Sequence, residues 1–156
     1  MNIRDSILIN CTPDKVWRFV ENPEFMKRWN PKVQWVSAAD KQREKGYEYG
    51  IMYVMNDKAD QFRGEYIVYD PPRLLVIRLT SEALQPSSFV EECYTLTEKG
   101  SATMLEQSIE FHNSGVNIFA RMLVAFIMRF GKPVGKRYLE TLKEMVEEEG
   151  RRRNDE

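Results

Sequence analysis

An alternation of apolar and polar residues with a period of two runs from Val33 to about Asn113, and this feature restricts the fold most. Short turn sequences interrupt it, among them DPPR at 70–73 and TEKGS at 97–101. Such loops are too short for the crossover connections that parallel strands need. The pattern therefore predicts six consecutive antiparallel strands in one sheet.

The segments on either side of this region complete an α+β fold. IRDSILIN at 3–10 alternates like a further strand, and Thr12-Pro13 and Asn22-Pro23 are start signals for two short amphipathic helices. Apolar residues then recur at helical spacing from Ile118 to Val146, with a kink expected at GKP, 131–133. We expect a curved antiparallel sheet of about seven strands, covered on one face by a long C-terminal helix.

Composition limits the class of protein. The 156 residues are 42% hydrophobic, which fits one domain, predicted at 1–149, followed by a disordered charged tail at 150–156. A net charge of -1 gives no overall field that would attract nucleic acid. The polar N-terminus does not resemble a signal peptide, and Cys11 and Cys93 are far apart, so we expect a cytoplasmic protein with reduced thiols.

Strand alternation also predicts which side chains face inward. On the sixth strand Val90, Glu92, Tyr94 and Leu96 share a face, which would bury a carboxylate among apolar groups. A buried Glu92 needs a partner or a raised pKa, and tyrosine hydroxyls and the Gln107 amide are the predicted partners. The alternative is that the opposite face of this strand points inward and leaves Glu92 in water. A bulge in any strand would invert its assignment beyond that point.

Three stretches of the chain resemble the START-like superfamily, also called SRPBCC, and within it the polyketide cyclase/dehydrase-like members. They are TPDKVWRFVENPEFMKRWNPKVQWV at 12–36, YDPPRLLVIRL at 69–79 and LETLKEMVE at 139–147. The resemblance implies a helix-grip fold, in which the sheet wraps around the long helix and leaves a cavity. It also implies a hydrophobic ligand such as a lipid or polyketide, and in some members cyclisation or dehydration. It implies no shared catalytic motif.

These considerations predict binding of a hydrophobic small molecule between the sheet and the C-terminal helix. The residues predicted to line the site are Trp29, Tyr49, Tyr53, Tyr66, Ile77, Glu92, Tyr94, Gln107, Phe111, Phe119, Met122 and Phe126. One alternative is a cyclase or dehydratase in which Glu92 and a tyrosine perform acid–base chemistry. Another is a protein-interaction module with a filled core.

Other partners and cofactors receive little support from the sequence. One histidine and two distant cysteines match no metal-ligand spacing, so we expect no metal site, and the chain lacks the glycine-rich motifs of nucleotide cofactors. The apolar stretch 116–130 is too short and too charged to span a bilayer, although transient contact with a membrane stays open. The sequence leaves monomer and homodimer as alternatives.

Overall fold

The computed structural model describes residues 2–55, 57–82, 84, 86–112 and 138–155. Its strands are β1 (Asn2–Ile9), β2 (Val33–Ala38), β3 (Glu48–Met55), β4 (Lys58–Asp70), β5 (Leu74–Thr80), β6 (Phe89–Lys99) and β7 (Ala102–His112). Its helices are α1 (Pro13–Val20), α2 (Pro23–Trp29) and α3 (Tyr138–Asn154). The helical segment predicted at 116–130 and the kink at 131–133 lie outside the described residues.

The seven strands form one antiparallel sheet in the order β1-β7-β6-β5-β4-β3-β2. Consecutive strands from β2 to β7 are neighbours, and β1 joins the sheet beside β7, so that β1 and β2 are its edges. Together with the C-terminal helix this is the helix-grip fold, which confirms the predicted fold class. Strand β6 continues to Lys99, into the turn sequence predicted at 97–101, and Gly100, with φ of +63°, makes the turn between Lys99 and Ala102.

The two short helices begin at the predicted start signals, Thr12-Pro13 and Asn22-Pro23. Pro13 and Pro23 occupy the first turns of α1 and α2, where a missing amide proton has no cost. The Asn22 side chain accepts a hydrogen bond from the Glu24 amide at 3.1 Å, whereas the Thr12 side chain makes no such bond. Their apolar faces bury Trp17 and Trp29, so both helices pack against the rest of the core.

Helix α3 packs against β1 and both short helices through the buried side chains of Leu139, Leu142 and Val146. It continues to Asn154, so the prediction of a disordered tail is wrong for residues 150–154. The physical reason is the i,i+4 spacing of opposite charges: Arg152 pairs with Glu148 at 2.7 Å and Arg153 with Glu149 at 2.9 Å. The single domain at 1–149 stays a prediction.

A β-bulge in β4 changes one predicted inward face. Tyr66 pairs with Ile77 and Val68 with Val76, so the register shifts between Tyr66 and Val68. Beyond the bulge Tyr69, rather than Val68, shares the inward face: it packs against the core and stacks on Tyr66 with ring centroids 5.9 Å apart. Val68 is two residues after Tyr66, so unbroken alternation would place it inward, but it pairs with Val76 and lies on the outer face.

Candidate ligand site on the concave face

Strand β6 presents Glu92 to the interior. Val90, Glu92, Tyr94 and Leu96 are all buried, and the residues between them are less so. Glu92 is 3% exposed, which makes the alternative in which it points into water wrong. Its neighbours across the sheet are Ile77 on β5 and Ile109 on β7, so the carboxylate lies in apolar surroundings.

Two tyrosine hydroxyls replace water around that carboxylate. Tyr94 donates to Oε2 at 2.9 Å, and Tyr53 donates to Oε1 at 3.4 Å. Glu92 therefore has the hydroxyl partners that its burial demanded. Hydrogen bonds to an ionised acceptor are stronger than those between neutral groups, and they offset part of the cost of removing the carboxylate from water.

The contact between Tyr53 and Glu92 depends on the curvature of the sheet. Tyr53 lies on β3 and Glu92 on β6, three strands apart in the sheet order. In a flat sheet three strand spacings amount to about 14 Å. Their side chains meet because the sheet is strongly concave on this side.

The same chain of hydrogen bonds continues into α3. Gln107 on β7 donates from Nε2 to the Tyr94 hydroxyl at 3.0 Å and accepts a short hydrogen bond from the Tyr138 hydroxyl at Oε1. The Tyr138 ring stacks on Trp29, with centroids 5.8 Å apart and an interplanar angle of 13°. We call Tyr53, Glu92, Tyr94, Gln107 and Tyr138 the inner polar cluster; it joins the sheet to α3.

Burial fixes the protonation state of Tyr94. Desolvation raises the pKa of its hydroxyl well above the ordinary value, and the negative charge of Glu92 raises it further. Tyr94 therefore keeps its proton at neutral pH and acts as a hydrogen-bond donor, so the carboxylate is the group in this pair that can accept a proton.

The structure brings most of the predicted site residues to one face. Nine of the twelve are described, and eight of them are buried on the concave side or, for Trp29, beneath α3: Trp29, Tyr49, Tyr53, Tyr66, Ile77, Glu92, Tyr94 and Gln107. Phe111, the ninth, is partly buried and packs against the core. The other three, Phe119, Met122 and Phe126, lie outside the described residues. Trp29 is buried, and its indole donates to the Phe19 carbonyl at 3.3 Å.

Two features of this region were not predicted as parts of a site. Tyr138 was assigned only to a helical stripe, and its position on the face that carries Leu139 and Leu142 was the available signal. The second is an ion pair at the end of α1: Glu21, 8% exposed, accepts from Arg43 Nε at 2.6 Å and from its Nη2 at 2.8 Å. Tyr69 also donates to Glu21 at 3.0 Å.

The outer surface carries several depressions, and the one along β1, β6 and β7 has a mostly polar lining. This depression of about 460 Å³ is lined by Arg4, Ser6, Cys93, Thr95 and Glu106, among others. Within the described ranges no three metal-binding side chains converge, and no helix is long and apolar enough to cross a membrane. Cys11 and Cys93 are free thiols.

Comparison with known proteins agrees with this architecture. The crystal structure of CV1439 from Chromobacterium violaceum superposes with a TM-score of 0.69 at 14% identity, covering 94% of this chain and 96% of that one. TTHA0849 from Thermus thermophilus gives 0.71 at 16% identity, with 96% and 99% covered. CalU16 from Micromonospora echinospora gives 0.59 at 19% identity, with 97% and 79% covered. At these identities the likeness establishes the fold.

The sequence itself decides the family. A search of curated proteins found no match. The sequence profile described as "Polyketide cyclase / dehydrase and lipid transport" matches residues 1–147, nearly the whole chain. The predicted resemblance to START-like proteins is thereby confirmed, and the chain belongs to the polyketide cyclase/dehydrase and lipid transport family.

Proposed function

We propose that this chain binds one hydrophobic small molecule, a lipid or a polyketide-like compound, between the concave face of the sheet and the C-terminal helix. The observation that supports this most is the inner polar cluster. Apolar side chains of similar volume would stabilise the interior as well as a buried carboxylate with its partners, or better. A ligand site, in contrast, needs a few fixed polar groups among apolar ones to orient its ligand.

The surroundings of the cluster support the same proposal. Ile77 and Ile109 flank Glu92 on the neighbouring strands, and aromatic rings from β3 and β4 cover the rest of this face. The family description includes lipid transport, which is the same class of ligand. The lining residues that we propose are those predicted from the sequence, with Tyr138 added.

Two adjacent residues of β6 provide a matched test. Glu92→Gln keeps the shape of the inward side chain but replaces a charged acceptor by a neutral one, whereas Glu91→Gln changes the outward side chain that pairs with Arg78 at 3.0 Å. Native mass spectrometry of gently purified protein should show a small-molecule adduct, which is then extracted and identified. We expect the affinity for that molecule to fall about tenfold in Glu92→Gln, since hydrogen bonds to charged groups are about twice as strong as neutral ones. Glu91→Gln should retain it.

Two results together would contradict the proposal. The mass spectrum would show only unliganded protein, and fatty acids, sterols and aromatic polyketides would leave the melting temperature unchanged. Equal losses of affinity in Glu91→Gln and Glu92→Gln would show that the inner polar cluster takes no specific part in binding.

A second candidate function is acid–base catalysis of the cyclase or dehydratase type. The observation that favours it is the direct contact between a carboxylate and two protonated tyrosines, because Glu92 can then receive a proton from a bound substrate while Tyr94 donates a hydrogen bond. Turnover of a polyketide-like substrate should then fall by at least about a hundredfold in Glu92→Gln. Unchanged turnover would exclude this role.

A further inference from the structure

Tyr49 differs from every other tyrosine of the chain. The sequence contains seven, and six of them donate their hydroxyl proton to a partner: Tyr47, Tyr53, Tyr66, Tyr69, Tyr94 and Tyr138. The Tyr49 hydroxyl is buried and has no hydrogen-bond partner among the residues that the structure describes. The side chain is only 4% exposed. A buried hydroxyl without a partner is costly, so it needs an explanation.

Packing of the ring, rather than a hydrogen bond, places this hydroxyl. Tyr49 on β3 lies directly opposite Gly64 on β4. A Cβ atom at Gly64 would lie 2.4 Å from Cε1 and Cζ of the ring and 2.8 Å from its oxygen. The ring therefore lies flat against β4 in a space that only glycine leaves open, with its edge toward Tyr66 at a centroid distance of 6.0 Å. The position is thus fixed before any partner binds.

The hydroxyl lies on the same face as the inner polar cluster. Tyr53, four residues along β3, points to the same side and contacts Glu92. Burial raises the pKa of Tyr49 well above its ordinary value, and the nearby carboxylate of Glu92 raises it further. Tyr49 consequently stays protonated at neutral pH and has a proton to donate.

We propose, on the basis of the function proposed above, that the Tyr49 hydroxyl donates a hydrogen bond to one carbonyl or hydroxyl oxygen of the hydrophobic ligand. The ligand is then an oxygenated apolar molecule rather than a plain hydrocarbon chain. Its oxygen lies at the ring of Tyr49, on the concave face beside Gly64. Binding supplies the partner that no described residue provides.

A pair of probes that differ in one oxygen isolates this contact. 2-Acetylnaphthalene and 2-ethylnaphthalene have the same rings and nearly the same shape, but only the first has an acceptor. Their dissociation constants are measured by equilibrium dialysis on the wild type, on Tyr49→Phe and on Tyr47→Phe. Tyr47 is the matched control, because it lies on the same side of the sheet and its hydroxyl already has a partner, the Ala39 carbonyl at 2.9 Å.

For each protein, the dissociation constant of the hydrocarbon is divided by that of the ketone. This ratio should be about five- to tenfold larger for the wild type than for Tyr49→Phe, as expected for one hydrogen bond. Tyr47→Phe should keep the wild-type preference. An identical preference in the wild type and in Tyr49→Phe, with both probes bound, overturns this inference and leaves the proposed function standing. If neither protein binds either probe, both fail together.

Stability of the free protein gives an independent measure. Removing an unpaired buried hydroxyl should raise the melting temperature of Tyr49→Phe, whereas Tyr47→Phe, which loses a hydrogen bond, should melt lower than the wild type. If the melting temperature of Tyr49→Phe falls as far as that of Tyr47→Phe, the Tyr49 hydroxyl is already paired in the free protein, and the inference is overturned.

Discussion

Gly64 on β4 tolerates no side chain while Tyr49 lies opposite it. A Cβ atom there would approach two ring carbons of Tyr49 to 2.4 Å, far inside van der Waals contact. The ring is buried and packs edge-on against Tyr66, so any shift of the ring would displace other core side chains. We expect Gly64→Ala to lower the free energy of unfolding by about 2–3 kcal/mol, in the upper part of the range for overpacked cores.

The sign of this effect reverses when the ring is removed. Tyr49→Ala itself costs about 3 kcal/mol, because a buried aromatic side chain is lost. In that background an alanine at position 64 meets no ring, and it stabilises a strand by about 0.5–1 kcal/mol relative to glycine. The double-mutant cycle should therefore give a coupling energy of about 3 kcal/mol between Tyr49 and Gly64.

Urea unfolding followed by circular dichroism, on the wild type, the two single variants and the double variant, measures this cycle. Gly50→Ala on β3 is the control. A Cβ atom there would lie 3.2 Å from the Trp35 ring, but Trp35 is 41% exposed and can shift into solvent. Its change in stability should stay within about 0.5 kcal/mol. An equal cost of Gly64→Ala with and without the Tyr49 ring would refute the packing argument.

Two further predictions concern charged groups. Arg43→Met leaves the Glu21 carboxylate buried without its cation and should cost about 2 kcal/mol in urea unfolding, whereas Arg63→Met, which breaks a surface ion pair, should cost less than about 0.5 kcal/mol. Similar losses of stability in Arg43→Met and Arg63→Met would contradict the argument that burial makes the Glu21–Arg43 pair the more important one. Burial disfavours ionisation of Glu147, but hydrogen bonds from Lys143 and a main-chain amide outweigh it and lower its pKa from 4.5. Glu147 therefore stabilises the fold above that pH and loses this contribution as the pH falls through its lowered value. In Glu147→Gln the dependence of stability on pH in this acid range should be shallower, and an unaltered dependence would disprove the assignment.

Much of the sheet could be predicted because an alternating strand can place only one of its two faces inward. Once Val90, Tyr94 and Leu96 had to be buried, Glu92 had to follow them inward. The bulge after Tyr66 could not be located in advance, since an extra residue in a strand leaves no distinct mark in the pattern. It moves Tyr69 to the inward face, where its hydroxyl reaches Glu21.

Contacts between distant segments were beyond the reach of sequence patterns. Glu21 ends α1 and Arg43 lies in the loop before β3, so no periodicity relates them. The placement of the Tyr49 hydroxyl is likewise a property of packing against Gly64. The helical end of α3, in contrast, had a signal: Glu148 and Arg152 are four residues apart, a spacing that favours helix.

Tyr53 and Glu92 lie three strands apart in the sheet order, so the hydrogen bond between them is sensitive to the curvature of the sheet. Straightening the sheet would move strands β3 and β6 apart and break the hydrogen bond before any strand pairing is lost. Spectroscopic labels on these two strands would consequently report widening or narrowing of the concave side, even when secondary structure is unchanged. A ligand that widens the concave side as it binds would first change the distance between the labels on β3 and β6.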